Sequence, residues 1–127
     1  MFSHIFIGAD DVTASKKFYD AVLGAIGIPE GKADPKGRVF YRTPTGTFGL
    51  TKPIDGAAAC HANGGTIGFA MSSPERTDAW HRAGVANGGT SIEDPPGVRQ
   101  GVAGPIYLAY LRDPDGNKLV AVARPAT

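Results

Sequence analysis

The sequence predicts an α+β protein of paired βαβββ modules, whose strands form a curled, cup-shaped mixed sheet with flanking helices. Three observations support this. Strand-like and helix-like segments follow one another in the same order in both halves of the chain. Two stretches of the first half also match two stretches of the second half, again in the same order. One helix on a short sheet cannot close its own core, so the two modules are expected to pack together.

The first half is interpreted as a strand, a helix and two further strands. Residues near the start are rich in β-favouring types, and the helical segment after them can be capped by Asp11 or Thr13 and stopped by Gly24. The last two strands are joined by TPTG, whose proline and glycine suit a tight turn. The predicted elements are residues 2–8, 10–24, 38–42 and 47–51.

The second half repeats this order. Its helix has Ser73 as a cap, Pro74 at the first helical position and a glycine pair after its end. Its last two strands form a hairpin around DPDGN. The predicted elements are residues 66–71, 72–89, 106–112 and 118–123.

Residue-by-residue matches between the halves indicate a duplication. FYDAVLGAIG matches WHRAGVANGG, so that Phe18 pairs with Trp80 and Gly27 with Gly89, and RTPTG matches RDPDG further on. The spacing between the two matches is larger in the second half, which predicts an inserted loop at 93–105, rich in glycine and proline. The alternative is a single α+β domain with coincidental turns. We predict one domain with the following parts: module one 1–52, linker 53–65 and module two 66–127.

Composition excludes several classes of function. With 42% hydrophobic residues, 20% charged residues and a net charge of +1, the chain is typical of a soluble protein and carries no basic patch for nucleic acid. No segment is long enough to span a bilayer, and the first residues do not resemble a secretion signal. Cys60 stands alone, which excludes an intrachain disulfide and a cysteine-based zinc site. A reducing, cytoplasmic location is therefore expected.

Three motifs carry a resemblance to a known family: SHIFIGADD, ASKKFYDAVLG and the closing YLRDPDGNKLVAV. With these motifs the chain resembles the vicinal oxygen chelate superfamily, which holds glyoxalase I, extradiol dioxygenases and bleomycin- or fosfomycin-resistance proteins. The resemblance covers essentially the whole chain. It implies a sheet-lined cup that is usually completed by dimerisation. In enzymatic members, one divalent metal in this cup binds two oxygen atoms of the substrate.

The resemblance also implies four metal-ligand positions, of which one agrees. The histidine of the first strand corresponds to His4. The fourth-strand ligand corresponds to Leu50, or to Gly49 with a slip of one residue, and the other two ligands correspond to Thr66 and Val120. A divalent metal needs three or more protein donors. We therefore expect no metal site and no other cofactor.

His4 is the first candidate for chemistry. Strand alternation places it on one face with Phe2 and Phe6. In a cup it could hydrogen-bond a ligand or act as an acid or base, because a histidine changes charge near neutral pH. The alternative is a neutral imidazole that is satisfied by a backbone carbonyl.

The remaining candidates form the walls of the expected cup. Tyr107, a second candidate acid or base, and Tyr110 point to opposite faces, so one lines the cup and the other packs beneath a helix. An arginine in the cup favours a carboxylate or phosphate ligand, and Arg99 belongs to the inserted loop, where recognition residues are common. The predicted ligand contacts are Phe6, Phe40, Arg42, Phe48, Thr66, Arg99, Tyr107 and Val120.

Three functions remain open on the sequence. The favoured one is a glyoxalase- or bleomycin-resistance-like protein that binds a small organic molecule without metal, as a homodimer, with no nucleic-acid or membrane partner. The second is a metal-dependent lyase or dioxygenase, of lactoylglutathione lyase type or dioxygenase type, that takes its missing ligands from Cys60, His61, Glu93 or Asp94. The third is a drug-sequestering resistance protein, for which a net charge of +1 provides no acidic groove.

Overall fold

Two mixed β-sheets and two α-helices make up the protein in the computed structural model, which describes residues 1–125. The last two residues of the predicted domain, 126 and 127, lie outside the described residues. The predicted α+β class and the order of two βαβββ modules are confirmed. In chain order the elements are β1 (His4–Gly8), α1 (Val12–Gly24), β2 (Lys32–Ala33), β3 (Val39–Thr43), β4 (Gly46–Thr51), β5 (Thr66–Met71), α2 (Pro74–Ala86), β6 (Thr90–Ser91), β7 (Gly97–Gly101), β8 (Gly104–Arg112) and β9 (Lys118–Ala123).

The two sheets have the same topology. The first has the order β1-β4-β3-β2, with β1 parallel to β4 and the other pairs antiparallel. The second has the order β5-β9-β8-β6, with β5 parallel to β9, and β7 pairs with β8 as well. In each module the helix connects the first strand to the far side of its sheet. Within the described residues, no helix is long and apolar enough to cross a membrane.

The predicted loop at 93–105 contains a strand instead. β7 runs antiparallel to β8, with Val98 opposite Tyr107, and the two strands form a hairpin. The sequence GVRQG has glycine at both ends and little apolar periodicity, which is typical of a loop. It becomes a strand because the long β8 offers it a partner edge, and such pairing cannot be seen in local sequence.

Both helices begin as predicted. The Asp11 side chain accepts a hydrogen bond from the N–H of Ala14 at 3.1 Å, and Ser73 accepts one from the N–H of Arg76 at 3.2 Å. These side chains satisfy backbone donors that have no partner within the helix. Pro74 occupies the first helical position of α2, where its missing N–H costs nothing.

α1 ends at the predicted residue, but the glycine that reverses the chain after it is not the predicted one. Gly24 is the last helical residue, but the chain reverses at Gly27, which has a φ of 87°. The N–H of Ile28 returns to the carbonyl of Leu23 at 3.0 Å, which completes a Schellman motif. Gly27, rather than Gly24, is therefore the glycine that the turn requires.

A single hydrophobic core joins the two modules. Phe18 and Tyr19 of α1 and Trp80 of α2 are fully buried in it. The helices approach each other closely at Gly84, where an added Cβ would lie 3.1 Å from Cγ1 of Val22 in α1 and also 2.3 Å from Cδ1 of Leu111 in β8. A larger residue at this position of α2 would push the modules apart.

The DPDGN hairpin fastens the second module to α1. Oδ1 of Asp113 accepts the backbone N–H groups of Asp115 and Asn117, both at 2.9 Å. Its Oδ2 accepts the hydroxyl of Tyr19 at 2.6 Å and the side-chain amide of Asn117 at 2.9 Å. Asp115 in turn accepts the hydroxyl of Ser15 at 2.9 Å. The motif therefore shapes its own turn and also positions the first helix.

Candidate functional site

Each sheet has one face that packs on the helices and one face that does not. In the first sheet, Tyr41 and Phe48 belong to the packed face, where both rings lie close to Tyr19 of α1. The opposite face carries the side chains at alternate positions. We call it the first cup face and define it by His4, Phe6, Gly49, Phe40 and Arg42, as the strand register requires.

Phe6 fills the centre of this face because Gly49 beside it has no side chain. A Cβ added to Gly49 would lie 1.6 Å from Cε1 of Phe6. The Phe6 ring also meets the ring of Phe40 edge-on, with centroids 5.3 Å apart. A metal-binding side chain at position 49 is incompatible with this aromatic pair.

The prediction that Leu50 occupies the fourth-strand ligand position is wrong, because Leu50 does not lie on the first cup face. Leu50 is fully buried on the helix-packed face, opposite Val39 of β3. Of the two aligned candidates, Gly49 shares the face of His4. A shift of one residue in a strand exchanges its two faces, and matching the strand to the family by the TPTG turn between β3 and β4 does not fix the register to one residue.

His4 lies at the edge of the first cup face and is exposed to solvent. Its Nδ1 is 2.7 Å from the hydroxyl of Ser3, and its ring is 5.7 Å from that of Phe6. Its partner is therefore a neighbouring hydroxyl and not a backbone carbonyl. With Nδ1 in this hydrogen bond, Nε2 remains for a ligand, as donor or acceptor according to the tautomer.

Two arginines flank Phe40, and they differ in their partners. Cζ of Arg42 lies 4.3 Å from the centroid of the Phe40 ring, and Cζ of Arg38 lies 5.3 Å from it. Nε of Arg38 donates to Asp34 at 2.7 Å, and this hydrogen bond lowers the pKa of Asp34. Within residues 1–125, no carboxylate pairs with Arg42. Arg42 is thus a stacked cation whose hydrogen-bonding edge is open to a ligand.

Thr66 and Val120 lie on the corresponding face of the second sheet. Val120 is opposite Gly68 and Tyr110, and Thr66 is opposite Lys118. We call this the second cup face. It offers a hydroxyl, aliphatic surface and a tyrosine ring rather than a set of metal donors.

Arg99 also lies on the second cup face, because it is opposite Ile106 of β8. Its Nη2 donates to the carbonyls of Asp94 and Pro95 at 3.0 and 2.8 Å. Much of its donor capacity is therefore used to brace the turn before β7. Fewer N–H groups of Arg99 are therefore left for the ligand that the sequence predicted it to recognise.

The structure contradicts the placement of Tyr107 in the cup. Tyr107 lies on the helix-packed face, and its hydroxyl donates to Oδ1 of Asp78 in α2 at 2.7 Å. This hydrogen bond raises the pKa of Tyr107, which disfavours a role as a base. Tyr110 is the tyrosine on the second cup face, where Nζ of Lys118 lies 5.0 Å from its ring centroid.

Phe48 is also misplaced by the prediction. It lies on the helix-packed face, with its ring centroid 4.9 Å from that of Tyr19 and 5.7 Å from that of Phe69. It lines a cavity of about 360 Å³ between the first sheet and β5. Of the predicted site residues, Phe48 and His4 reach this cavity.

The donors available do not fit the family's metal. Among residues 1–125, no three His, Cys, Asp or Glu side chains converge on one point. Of the replacement donors, Cys60 is exposed and Glu93 pairs with Lys118 at 2.6 Å. His61 packs beside Gly116, and Asp94 uses its carbonyl to hold Arg99. No such donor accompanies His4.

Paired βαβββ modules with a histidine in the first strand define the vicinal oxygen chelate type of protein. The family model for the Glyoxalase/Bleomycin resistance protein/Dioxygenase superfamily matches residues 1–121. The chain is 60% identical to a glyoxalase/bleomycin resistance protein from Albidiferax ferrireducens, with a TM-score of 0.94 over 98% of this chain and 99% of that one. This protein belongs to the Glyoxalase/Bleomycin resistance protein/Dioxygenase superfamily.

More distant structures share the fold. A lactoylglutathione lyase from Agrobacterium tumefaciens is 22% identical, with a TM-score of 0.67 over 97% of this chain and 92% of that one. A glyoxalase-related enzyme from Fulvimarina pelagi is 18% identical, with a TM-score of 0.73 over 98% and 88% of the two chains. At these identities the similarity concerns the arrangement of the modules and carries no activity to this chain.

Proposed function

We propose that this protein binds a small organic anion on the first cup face, without the family's metal, in a cup that a second copy of the chain completes. One observation carries the proposal. The Phe6 ring occupies the space above Gly49, and beside it Arg42 stacks on Phe40 with no carboxylate partner among residues 1–125. The face on which the family's metal would be expected therefore carries aromatic and cationic side chains in this chain.

The chemistry of these side chains selects the ligand class. A guanidinium held flat on a ring presents its donors in a fork that suits a carboxylate or phosphate. The rings of Phe6 and Phe40 offer a surface for a planar or apolar body. Nε2 of His4, at the edge of the face, can hydrogen-bond the same ligand or move a proton on it. Acid–base chemistry at His4 is the reaction that this arrangement of side chains supports.

The charge of both cup faces disfavours sequestration of a cationic drug. Arg42 lies on the first cup face with Arg38 near the same Phe40 ring, and Arg99 and Lys118 lie on the second cup face. The acidic partners of these residues neutralise some of them, but they do not provide an acidic groove. A cationic ligand would meet like charges, whereas an anion would be attracted.

The first test replaces Arg42. We expect Arg42→Gln to weaken binding of aromatic or short aliphatic carboxylates by about ten- to a hundred-fold, because one charge-assisted hydrogen bond contributes about 1.5–3 kcal/mol. Calorimetric titration of a panel of carboxylates measures this effect. Arg82→Gln is the matched control, since it removes the same charge from an exposed position of α2. Equal affinities for wild type and Arg42→Gln would show that Arg42 does not bind the ligand and would contradict the proposal.

The second test measures metal in untagged protein purified without chelator. We expect less than stoichiometric metal, and no rise in melting temperature with Zn²⁺, Ni²⁺, Mn²⁺ or Fe²⁺, because His4 has no donor partners. His4→Ala is expected to leave the melting temperature in each metal unchanged. Stoichiometric metal that is lost in His4→Ala would favour the lyase or dioxygenase alternative instead.

A further inference from the structure

We infer that the cavity between the first sheet and β5 is a second ligand site, distinct from the anion site at Arg42, for an uncharged and largely hydrocarbon molecule. Its volume of about 360 Å³ lies within the range of small-molecule pockets. His4 and Thr47 of the first cup face reach its exposed end, but Phe6, Phe40 and Arg42 do not line it, and its floor lies on the side of the sheet that packs on the helices. The inference is independent of the function proposed for the cup.

The floor of this cavity is apolar. Buried or half-buried side chains from three parts of the chain form it: Leu23, Ile26, Ile28, Phe48, Ile67 and Phe69. None of the described residues that line the cavity is Asp, Glu, Lys or Arg. An ion placed here would lose its hydration without gaining a partner, so a charged ligand is excluded.

The one polar group in the floor is already satisfied. The Tyr41 hydroxyl donates to Oδ1 of Asp20 at 2.8 Å, away from any ligand. Burial raises the pKa of Tyr41, and the carboxylate of Asp20 raises it further, so the phenol stays neutral. Polar groups for a ligand are confined to the exposed end of the cavity, where the side chains of Ser3, His4, Thr45 and Thr47 lie.

The wall that follows α1 is preformed. The Schellman motif at Gly27 fixes the chain reversal through the hydrogen bond from Ile28 to Leu23, so Ile26 and Ile28 both line the cavity. Behind this wall Gly31 packs on Tyr41, and a Cβ at Gly31 would lie 2.6 Å from Cζ of the ring. A fixed wall keeps the cavity open and lowers the entropic cost of binding.

Water fills such a space poorly. A volume of about 360 Å³ corresponds to roughly a dozen waters at about 30 Å³ each, and the floor gives them few hydrogen-bond partners. Displacing poorly bonded water by apolar groups favours binding. The ligand that fits is a neutral aromatic or branched aliphatic molecule with one hydrogen-bonding group, which would lie against the threonines at the exposed end.

The experiment titrates the full chain with N-phenylnaphthylamine, a neutral dye whose fluorescence rises in apolar surroundings. We expect saturable binding of one dye per chain. Ile28→Trp, which fills the cavity from its wall, is expected to weaken binding at least tenfold. Ile54→Trp adds the same ring at a fully exposed position and should change nothing. Arg42→Gln should also bind dye normally, which separates this site from the cup.

A second filling variant and three possible outcomes make the inference falsifiable. Ile67→Trp fills the cavity from β5 and replaces Ile28→Trp if circular dichroism shows that the latter is unfolded. Unsaturable binding, or full affinity in a folded filling variant, would overturn the inference. Dye affinity that falls as the protein self-associates would also overturn it, because the occupant would then be a second copy of the chain.

Discussion

Asp113 is 3% exposed and accepts hydrogen bonds from two backbone N–H groups, the Asn117 amide and the Tyr19 hydroxyl. A buried carboxylate is costly unless its lone pairs are used, and here four donors use them. Burial and the Asp113 carboxylate both raise the pKa of Tyr19, so the phenol remains a donor over the physiological range. The residue thus joins the last hairpin to the first helix.

We expect Asp113→Ala to lower the free energy of unfolding by about 3 kcal/mol or more, because several buried donors lose their acceptor. Tyr19→Phe should cost about 1–2 kcal/mol, since Asp113 keeps its other donors. Asp115→Ala, in the same hairpin but less buried, is the comparison and should cost only about 1–2 kcal/mol, because this carboxylate accepts only the Ser15 hydroxyl and the N–H of Asp10. Urea titrations that follow the fluorescence of Trp80 measure all three. A similar loss for both aspartate variants would contradict the assigned role.

At the scale of single residues, the sequence predicted that side chains along a strand alternate between two faces, but it did not predict which face lines the cup. It placed Tyr107 and Tyr110 on opposite faces, which is correct, but it chose Tyr107 for the cup, which is wrong. The answer depends on Asp78 of α2, which binds Tyr107 from across the core. Likewise, the choice between Leu50 and Gly49 required the register of β4, which is fixed by its neighbours β1 and β3.

Among the elements, α1 shows how a helix end can build a binding surface. The helix stops at Gly24, and Gly27 reverses the chain at a φ of 87°. Most L-residues are strained in that region, whereas glycine is not. The two isoleucines around the turn are thereby placed against the cavity.

The two glycines of this segment form a matched pair for substitution. Gly27→Ala should destabilise the protein by about 1–2 kcal/mol, because alanine is strained at this φ. Gly24→Ala should stabilise it by up to about 1 kcal/mol, because alanine favours a helix and an added Cβ there meets nothing within 4 Å. Thermal and urea unfolding of the two variants measure the difference. Equal effects would mean that the turn tolerates a side chain after all.

Elements with strong local signals were predicted well. The predicted strands 66–71 and 118–123 coincide with β5 and β9, because each is a short apolar run bounded by turn residues. β7 and the two-residue strands β2 and β6 were missed, since their structure depends on pairing with distant strands. The repeat matched Gly27 with Gly89, but the glycine that reverses the chain after α2 is its neighbour Gly88, with a φ of 100°.

In the whole molecule, the two cup faces are separate half-cups. Within residues 1–125, no hydrogen bond, ion pair or ring contact joins them. Both β1 and β5 are edge strands, each paired on one side only in the described part of the chain. Open edges and partly exposed aromatic side chains favour association with another copy of the chain.

We therefore expect sedimentation equilibrium to give twice the mass of one chain at micromolar concentration. Phe40→Asp should shift the protein towards monomer, because it places a charge on the first cup face. Val85→Asp introduces the same charge at an exposed apolar position of α2 and should not alter the mass. A monomeric wild type, or equal dissociation by both variants, would rule out a cup shared by two copies.

The bond between Tyr19 and Asp113 also has a consequence during translation. The first module is complete in sequence at Thr51, but its helix gains this partner only when residue 113 has left the ribosome. At elongation rates of about 5–20 residues per second, that interval lasts several seconds. Throughout it, we expect the surfaces of Phe18 and Tyr19 that later meet the second module to stay uncovered, so the first half of the chain presents apolar side chains to solvent until its partner module has been made.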